Sequence, residues 1–376
     1  MVTIKELRYP LFLGVLGAFL GLLLRYFFMG GQIFVPFKFM LHAHSHLMML
    51  GFIFNALLLL VWQNFTTGFD PLSKKYFIAL QVFVLLMMTA FLYQGYALYS
   101  IVFSTLHLWT SYILLIRLWK RLEGNRKLLI MIRTGIIFHF LSSLGPYALG
   151  PLSVLGMKGS PWYQQAVFFY LHFQFFGIYF IWLLTLFFKK TGITPEIKMI
   201  SIIIVALTLL YVHSLDFSFE HPALNFTGAV ASVSLFGVFL NLFSKFKEQP
   251  VRFQIIYYLL LTVFALNILG SFPYFSSLVV NHRMILIAWL HFLFLGVFAP
   301  FIWMMRSFKL NGYIFLIYTL FLIITEFLLI YGSFHTNIMG VSIMKALFYS
   351  YLGVFLTFTV IHTLIYIRYL KPKTLD

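Results

Sequence analysis

Three histidines recur in one short frame, each followed five residues on by a glycine: His46-Leu-Met-Met-Leu-Gly51, His172-Phe-Gln-Phe-Phe-Gly177 and His291-Phe-Leu-Phe-Leu-Gly296. All three frames lie in stretches apolar enough to cross a membrane. A polar ring in hydrocarbon is costly unless it is paired or bound. Three in one frame therefore suggest a shared task, and neutral imidazole at that depth most often ligates a metal or a haem iron.

The elements that carry these residues follow from composition. Hydrophobic residues make up 62% of the 376-residue chain and charged residues 9%, with 48 Phe, a balance that water-soluble domains do not tolerate. Apolar runs of about 20 residues predict twelve spans, near 9–29, 37–62, 76–98, 100–118, 128–150, 164–188, 198–216, 224–244, 252–272, 281–305, 311–332 and 342–368. The loops between them are short, which leaves no room for a soluble module. The expectation is an all-α polytopic protein forming a single membrane domain over residues 1–376. The first run is too long for a cleavable leader and lacks a small-residue cleavage site.

The net charge of +17 is a topology signal. Apart from Arg25, Lys38, Arg133, Lys158, Arg283 and Lys345, every Lys and Arg falls on one side of this arrangement. That bias places both termini in the cytoplasm, with the basic side facing anionic lipid, and needs no nucleic-acid partner. The absence of cysteine excludes disulfides, thiolate metal sites, iron–sulfur clusters and c-type haem attachment.

By span, His42, His44 and His46 fall on the second, His172 on the sixth, His213 near the end of the seventh and His291 on the tenth. Twelve spans with histidines on the second, sixth, seventh and tenth resemble the catalytic subunit of the haem–copper oxidase superfamily, which includes cytochrome oxidases and nitric oxide reductases. Met40-Leu-His42 after Pro36 looks like the start of that family's second helix. The stretch from Trp162-Tyr163 through Tyr170-Leu-His172 to Lys189-Lys190 looks like its sixth, and His291-x4-Gly296 like its tenth. The chain also resembles the NnrS-like group of twelve-span haem proteins linked to the nitric oxide response.

The resemblance implies a pseudo-threefold bundle in a bacterial inner membrane. It also implies at least one low-spin b-type haem between the second and tenth spans, and copper or non-haem iron held by His172 and His213. The partners it implies are a cytochrome or quinol electron donor and a small gas, nitric oxide or oxygen, for an oxidoreductase or electron carrier. His291 would be one axial ligand. His42 and His46 share a helix face, whereas His44 points roughly 160° away, and the residues leave His42 and His46 open as the other ligand. Arg25 and Arg283, both toward the non-cytoplasmic side, would face the haem propionates or snorkel to headgroups.

The departures from the family are specific. Trp289 replaces the ligand of the high-spin haem, the seventh span offers His213 without a second adjacent histidine, and Phe176 stands where the oxidases place a tyrosine. Oxygen reduction at oxidase rates is therefore not expected. Asp216, Glu220 and His221 with His213 offer a different, small metal site, and Glu326 reads as a buried structural donor rather than a proton relay. His107, His139 and His362 read as structural, and His282 and His335 as solvated. The rival class is a histidine-dependent cation or metal transporter without haem, for which Pro146 and Gly150 would supply the helix break.

Overall fold

A computed structural model describes residues 5–305 and 312–370, with side chains through residue 367. Twelve helices are long and apolar enough to span a membrane: Lys5–Phe28, Phe37–Phe65, Pro71–Gln94, Leu98–Trp119, Arg126–Val154, Pro161–Thr191, Ile197–Phe219, Pro222–Asn241, Val251–Gly270, Arg283–Met305, Gly312–Tyr331 and Ile343–Ile367. They are numbered spans 1 to 12 below, and they match the expected runs within a few residues. The protein is an all-α polytopic membrane protein. Its β-structure among the described residues is a two-residue hairpin pairing Asn337 with Ser342, ahead of span 12.

Local chemistry sets the helix ends. Asp70, Ser160 and His221 each cap a helix that begins on proline, their side chains accepting from Ser73, Tyr163 and Ala223 backbone N–H groups, as the missing proline donor and the exposed first turn favour. Arg117 donates to Asp70 Oδ1 at 2.8 Å and to Ser73 Oγ at 2.9 Å, tying span 4 to the start of span 3. Burial opposes ionisation of Asp70, but Ser73 and Arg117 hold its carboxyl down at about 2. Gly95 ends span 3 at φ +67, and a Cβ there would meet the Phe39 ring of span 2.

The backbone gathers into two compact units. One comprises residues up to Lys120 together with those from Met284 onward, and so holds spans 1 to 4 and 10 to 12. The other runs from Arg121 to Arg283 and holds spans 5 to 9. In the first, span 1 packs on spans 2 and 12, span 3 on spans 2 and 4, and the last turns of span 10 on those of span 2. In the second, span 5 packs on span 6, span 7 on span 8, and span 8 on span 9. Span 5 breaks at Ser143, and span 7 breaks around Leu210 and Tyr211.

The three histidine frames are where the helices change pitch. Immediately after His46, His172 and His291 come π-helical segments, Leu47–Phe54, Phe173–Tyr179 and Phe292–Phe298, after which the α-helix resumes. A π turn closes hydrogen bonds between residues five apart, so each frame's histidine and glycine stand one π turn from each other. The glycine admits a close neighbour at the widened turn. A Cβ on Gly51 would lie 3.1 Å from Val84 Cγ1 and 3.3 Å from Leu13 Cβ, and one on Gly177 would lie 3.0 Å from Phe138 Cβ. Spans 2 and 6, which carry two of these segments, are 89% and 94% buried over their apolar windows against 56% or less for every other span. They are the helices with least lipid contact.

Phe138 Cβ is fixed to its backbone and cannot swing away from an added methyl. Gly177→Ala should therefore cost about 1–3 kcal/mol and lower the thermal midpoint of the purified protein in detergent. Gly237→Ala, on span 8 with open space around it, should leave the midpoint unchanged or raise it. Equal midpoints for the two variants would refute the close-packing role of the π-segment glycine.

Candidate intramembrane polar site

One face of span 1 carries Gly17, Gly21 and Arg25, four residues apart and so stacked along the helix. The two glycines let neighbouring helices come close. His44 of span 2 donates from Nδ1 to the Gly17 carbonyl at 2.8 Å. The space a Cβ on Gly21 would fill is bounded by the Tyr351 hydroxyl at 2.7 Å and His44 Cε1 at 2.9 Å. Tyr351, from span 12, donates to the Ala18 carbonyl at 3.3 Å. An alanine at Gly21 would push both polar rings off span 1.

Arg25 is the hub. Its guanidinium donates to the Gly21 carbonyl at 3.2 Å and to His291 Nδ1 of span 10 at 3.4 Å, and it lies over the Tyr351 ring with Cζ 3.6 Å from the centroid. Glu326 of span 11 brings Oε1 to 3.9 Å from the same His291 nitrogen and accepts from the Thr325 hydroxyl at 3.4 Å. Five spans of the first unit thus contribute one cation, two imidazoles, one carboxyl and one phenol to a continuous network. Arg25 Nε and Glu326 Oε2 are buried without a hydrogen-bond partner. Intramembrane charge of this kind is costly and marks a functional site by default, and the cation–π contact offsets part of that cost for Arg25.

The expected residues are placed as follows. His291 and Arg25 meet directly. His42 and His46 do not join them: both rings pack on Phe91 of span 3, at 5.6 and 4.6 Å, and His46 donates from Nδ1 to the His42 carbonyl at 2.9 Å. The second-span histidine that faces His291's surroundings is His44. Arg283 opens span 10, is exposed, and takes no part in the network.

His172 and His213 lie in the second unit. His172 donates from Nε2 to the Leu207 carbonyl at 2.9 Å and lies beside Phe176. His213 Nε2 is 3.0 Å from the Ser271 hydroxyl. Both oxygens of Asp216 are taken, by Asn225 and Ser276, and His221 serves as a helix cap. Among the described residues no group of three or more His, Asp or Glu side chains is placed to hold a metal ion.

His44, Tyr351 and the role of Glu326 escaped the reading of the sequence. The signal for the first two was present in Gly17-Ala-Phe-Leu-Gly21, a small-xxx-small pattern one turn before a charged residue. Gln174, the second residue of its π segment, was also missed. It is fully buried and donates to His139 Nδ1 at 3.1 Å and Ser142 Oγ at 2.7 Å, which gives the structural reading of His139 a partner.

Comparison with known proteins returns no match of this chain to a family description, to a curated protein or to a solved structure.

If Arg25 is the hub, replacing it should cost more than losing any single hydrogen bond. Arg25→Ala removes the donor to His291 and the Gly21 carbonyl and the cation over the Tyr351 ring, leaves Glu326 without a nearby positive charge, and should destabilise the first unit by about 2–5 kcal/mol. Arg25→Lys should recover only part, because an ammonium cannot match the planar contact with Tyr351. Thermal unfolding of the three proteins in one detergent tests the order, and a lysine variant as stable as wild type would remove the planar contact from the account.

Proposed function

We propose that this chain is a haem-binding integral membrane protein on the plan of the haem–copper oxidase catalytic subunit, working in electron transfer or in redox chemistry of a small gas. The observation that carries the reading is the donor set of the first unit: histidines from spans 2 and 10 in one polar site deep in the membrane domain. His44 fits an axial ligand in kind. Its Nδ1–H is fixed by the Gly17 carbonyl, so Nε2 keeps its lone pair, the outer-shell arrangement typical of ligating histidine. His291 Nδ1 accepts from Arg25 in this structure; as an axial ligand His291 would instead carry its proton on Nδ1, directed at Glu326 Oε1 3.9 Å away, and give up that contact with Arg25. Arg25, with one N–H open, would then serve an acidic group of the cofactor.

A b-type haem held there would supply reversible one-electron chemistry and a site for a diatomic ligand. The protein's share is to lock the imidazole tautomers, keep water out and place a cation beside the acidic edge. Trp289, at the position of the family's high-spin ligand, argues for one haem per chain, and nothing gathered around His172 and His213 argues for copper. The rival reading, a histidine-dependent cation transporter, draws on the same carboxyl–imidazole contact between Glu326 and His291. In either case the excess of Lys and Arg on one side supports a bacterial plasma-membrane protein with both termini cytoplasmic.

Absorption spectra of the purified protein test the haem. The expected result is a Soret band with sharp reduced α and β bands, one haem per chain by pyridine hemochrome, and loss of the low-spin bands in His44→Ala and His291→Ala but not in His46→Ala. Loss in His46→Ala with retention in His44→Ala would return the span 2 ligand to His46. A protein that carries no haem when expressed with haem supplied would defeat the reading and leave transport.

Orientation has its own measurement. Fusions of a periplasm-dependent phosphatase should be inactive after Lys127 and after Lys247 and active after Lys158. The opposite pattern would invert the topology.

A further inference from the structure

Two helices of the second unit are interrupted, spans 5 and 7, and side chains of span 6 reach both interruptions. At the break in span 7, His172 donates from Nε2 to the Leu207 carbonyl at 2.9 Å. Gln165 accepts from the Tyr211 hydroxyl at 2.8 Å and gives its amide hydrogens to the Ser214 carbonyl and the Ser218 hydroxyl. Those groups close on one another. At the break in span 5, Gln174 bridges to His139 and Ser142, and there the set stays open.

The hydrogens at the span 5 break can be followed one by one. Ser142 gives its hydroxyl hydrogen to the His139 carbonyl at 2.7 Å, and Ser143 gives its own to the Phe140 carbonyl. The Ser142 oxygen therefore accepts from Gln174 Nε2 at 2.7 Å, and the second amide hydrogen goes to His139 Nδ1 at 3.1 Å. These contacts fix which end of the amide is the oxygen. Gln174 Oε1 is left buried without a partner, on a residue with no exposed surface. Four residues after Ser142 stands Pro146, which has no N–H, so the Ser142 carbonyl loses its helical donor. The cluster thus holds spare oxygen acceptors, while its serine and amide hydrogens are all spent. A water molecule would satisfy Oε1 but finds no donor among these side chains for its own oxygen. A cation needs acceptors alone.

Charge and space narrow the cation. No carboxylate belongs to this cluster, so a divalent ion would keep its charge uncompensated in an apolar interior. Just past the break, a Cβ on Gly145 would lie 2.2 Å from the Ala166 carbonyl oxygen. The backbones of spans 5 and 6 are in contact there, which favours a bare ion over an organic cation.

We infer that the break in span 5 binds a sodium ion through Gln174 Oε1 and the carbonyl and hydroxyl oxygens of Ser142. Interrupted membrane helices commonly use unwound carbonyls and half-helix C-terminal ends in this way. The site belongs wholly to the second unit and holds whether or not the first unit carries haem.

The test is binding of radioactive sodium to the full chain in phosphatidylcholine nanodiscs, with choline as the replacement cation. One saturable site per chain is expected, displaced by NaCl, less well by KCl, and not by choline chloride or CaCl2 at equal ionic strength. Sodium in place of choline should also raise the thermal midpoint, as binding to the native state requires. Gln174→Leu and Pro146→Ala should each weaken binding by roughly tenfold, the loss of one oxygen ligand. Pro146→Ala returns an N–H to the Ser142 carbonyl and favours the helix, so it remains informative if Gln174→Leu fails to fold. Gly237→Ala, on span 8, should leave the affinity unchanged. Absence of saturable sodium binding would assign Oε1 to an ordered water and overturn the inference. Displacement by CaCl2, equal displacement by KCl and NaCl, or unchanged affinity in both Gln174→Leu and Pro146→Ala would overturn it too. Haem content is read separately by absorption, so absence of haem and absence of sodium binding are distinct results.

Discussion

Hydrocarbon holds no water to finish a hydrogen bond, and that constraint organises the first unit. Arg25 cannot be left with its five donors open, so partners come to it from its own helix and from two other spans: the Gly21 carbonyl, His291 Nδ1 and the face of Tyr351. That closure in turn depends on Gly17 and Gly21, since any larger residue would hold His44 and Tyr351 away from span 1. The glycines, the guanidinium and the two imidazoles are therefore one device rather than separate features. Its members come from both ends of the chain, and spans 10 to 12 cannot be displaced from spans 1 and 2 without exposing a cation to lipid.

The π-helical segments are a second regularity with a physical consequence. An α-helix that widens to i→i+5 bonding for one or two turns shifts the faces of everything after it. In spans 2, 6 and 10 the shift begins on a histidine and is accompanied by a glycine at the fifth position. The histidine ends one helical register and the glycine accommodates the neighbour that presses on the other. Past each segment the side chains are almost all buried, with Trp62, Trp182 and Trp303 fully so. The frame thus separates a polar half of each helix from an apolar, tightly packed half, so polar side chains sit in these membrane helices without loosening their cores.

Span 2 presents polar groups on opposite sides, and the two sides have different chemical character. His44 faces a cation, a carboxyl and a phenol. His42 and His46 face the ring of Phe91, and His42 also that of Tyr96.

The sequence alone determined what depends on composition and local spacing. Twelve spans, their limits and the all-α class follow from hydropathy, because burial in lipid is a property of each segment by itself. The singular status of the three histidine frames was also legible, since spacing five along one chain is a local quantity that survives folding as one π turn. Tertiary structure decided which imidazole meets which neighbour. Sequence resemblance favoured His42 or His46 opposite His291, but the rotation of span 2 is set by the Gly17–Gly21 face of span 1, which draws His44 inward and turns the other two toward Phe91. Glu326 likewise gains its meaning only when span 11 carries it to within reach of His291, a contact between residues 35 apart in the chain that no local pattern encodes. Long-range packing energy, summed over many weak contacts, fixes those rotations, and single-segment chemistry does not contain it.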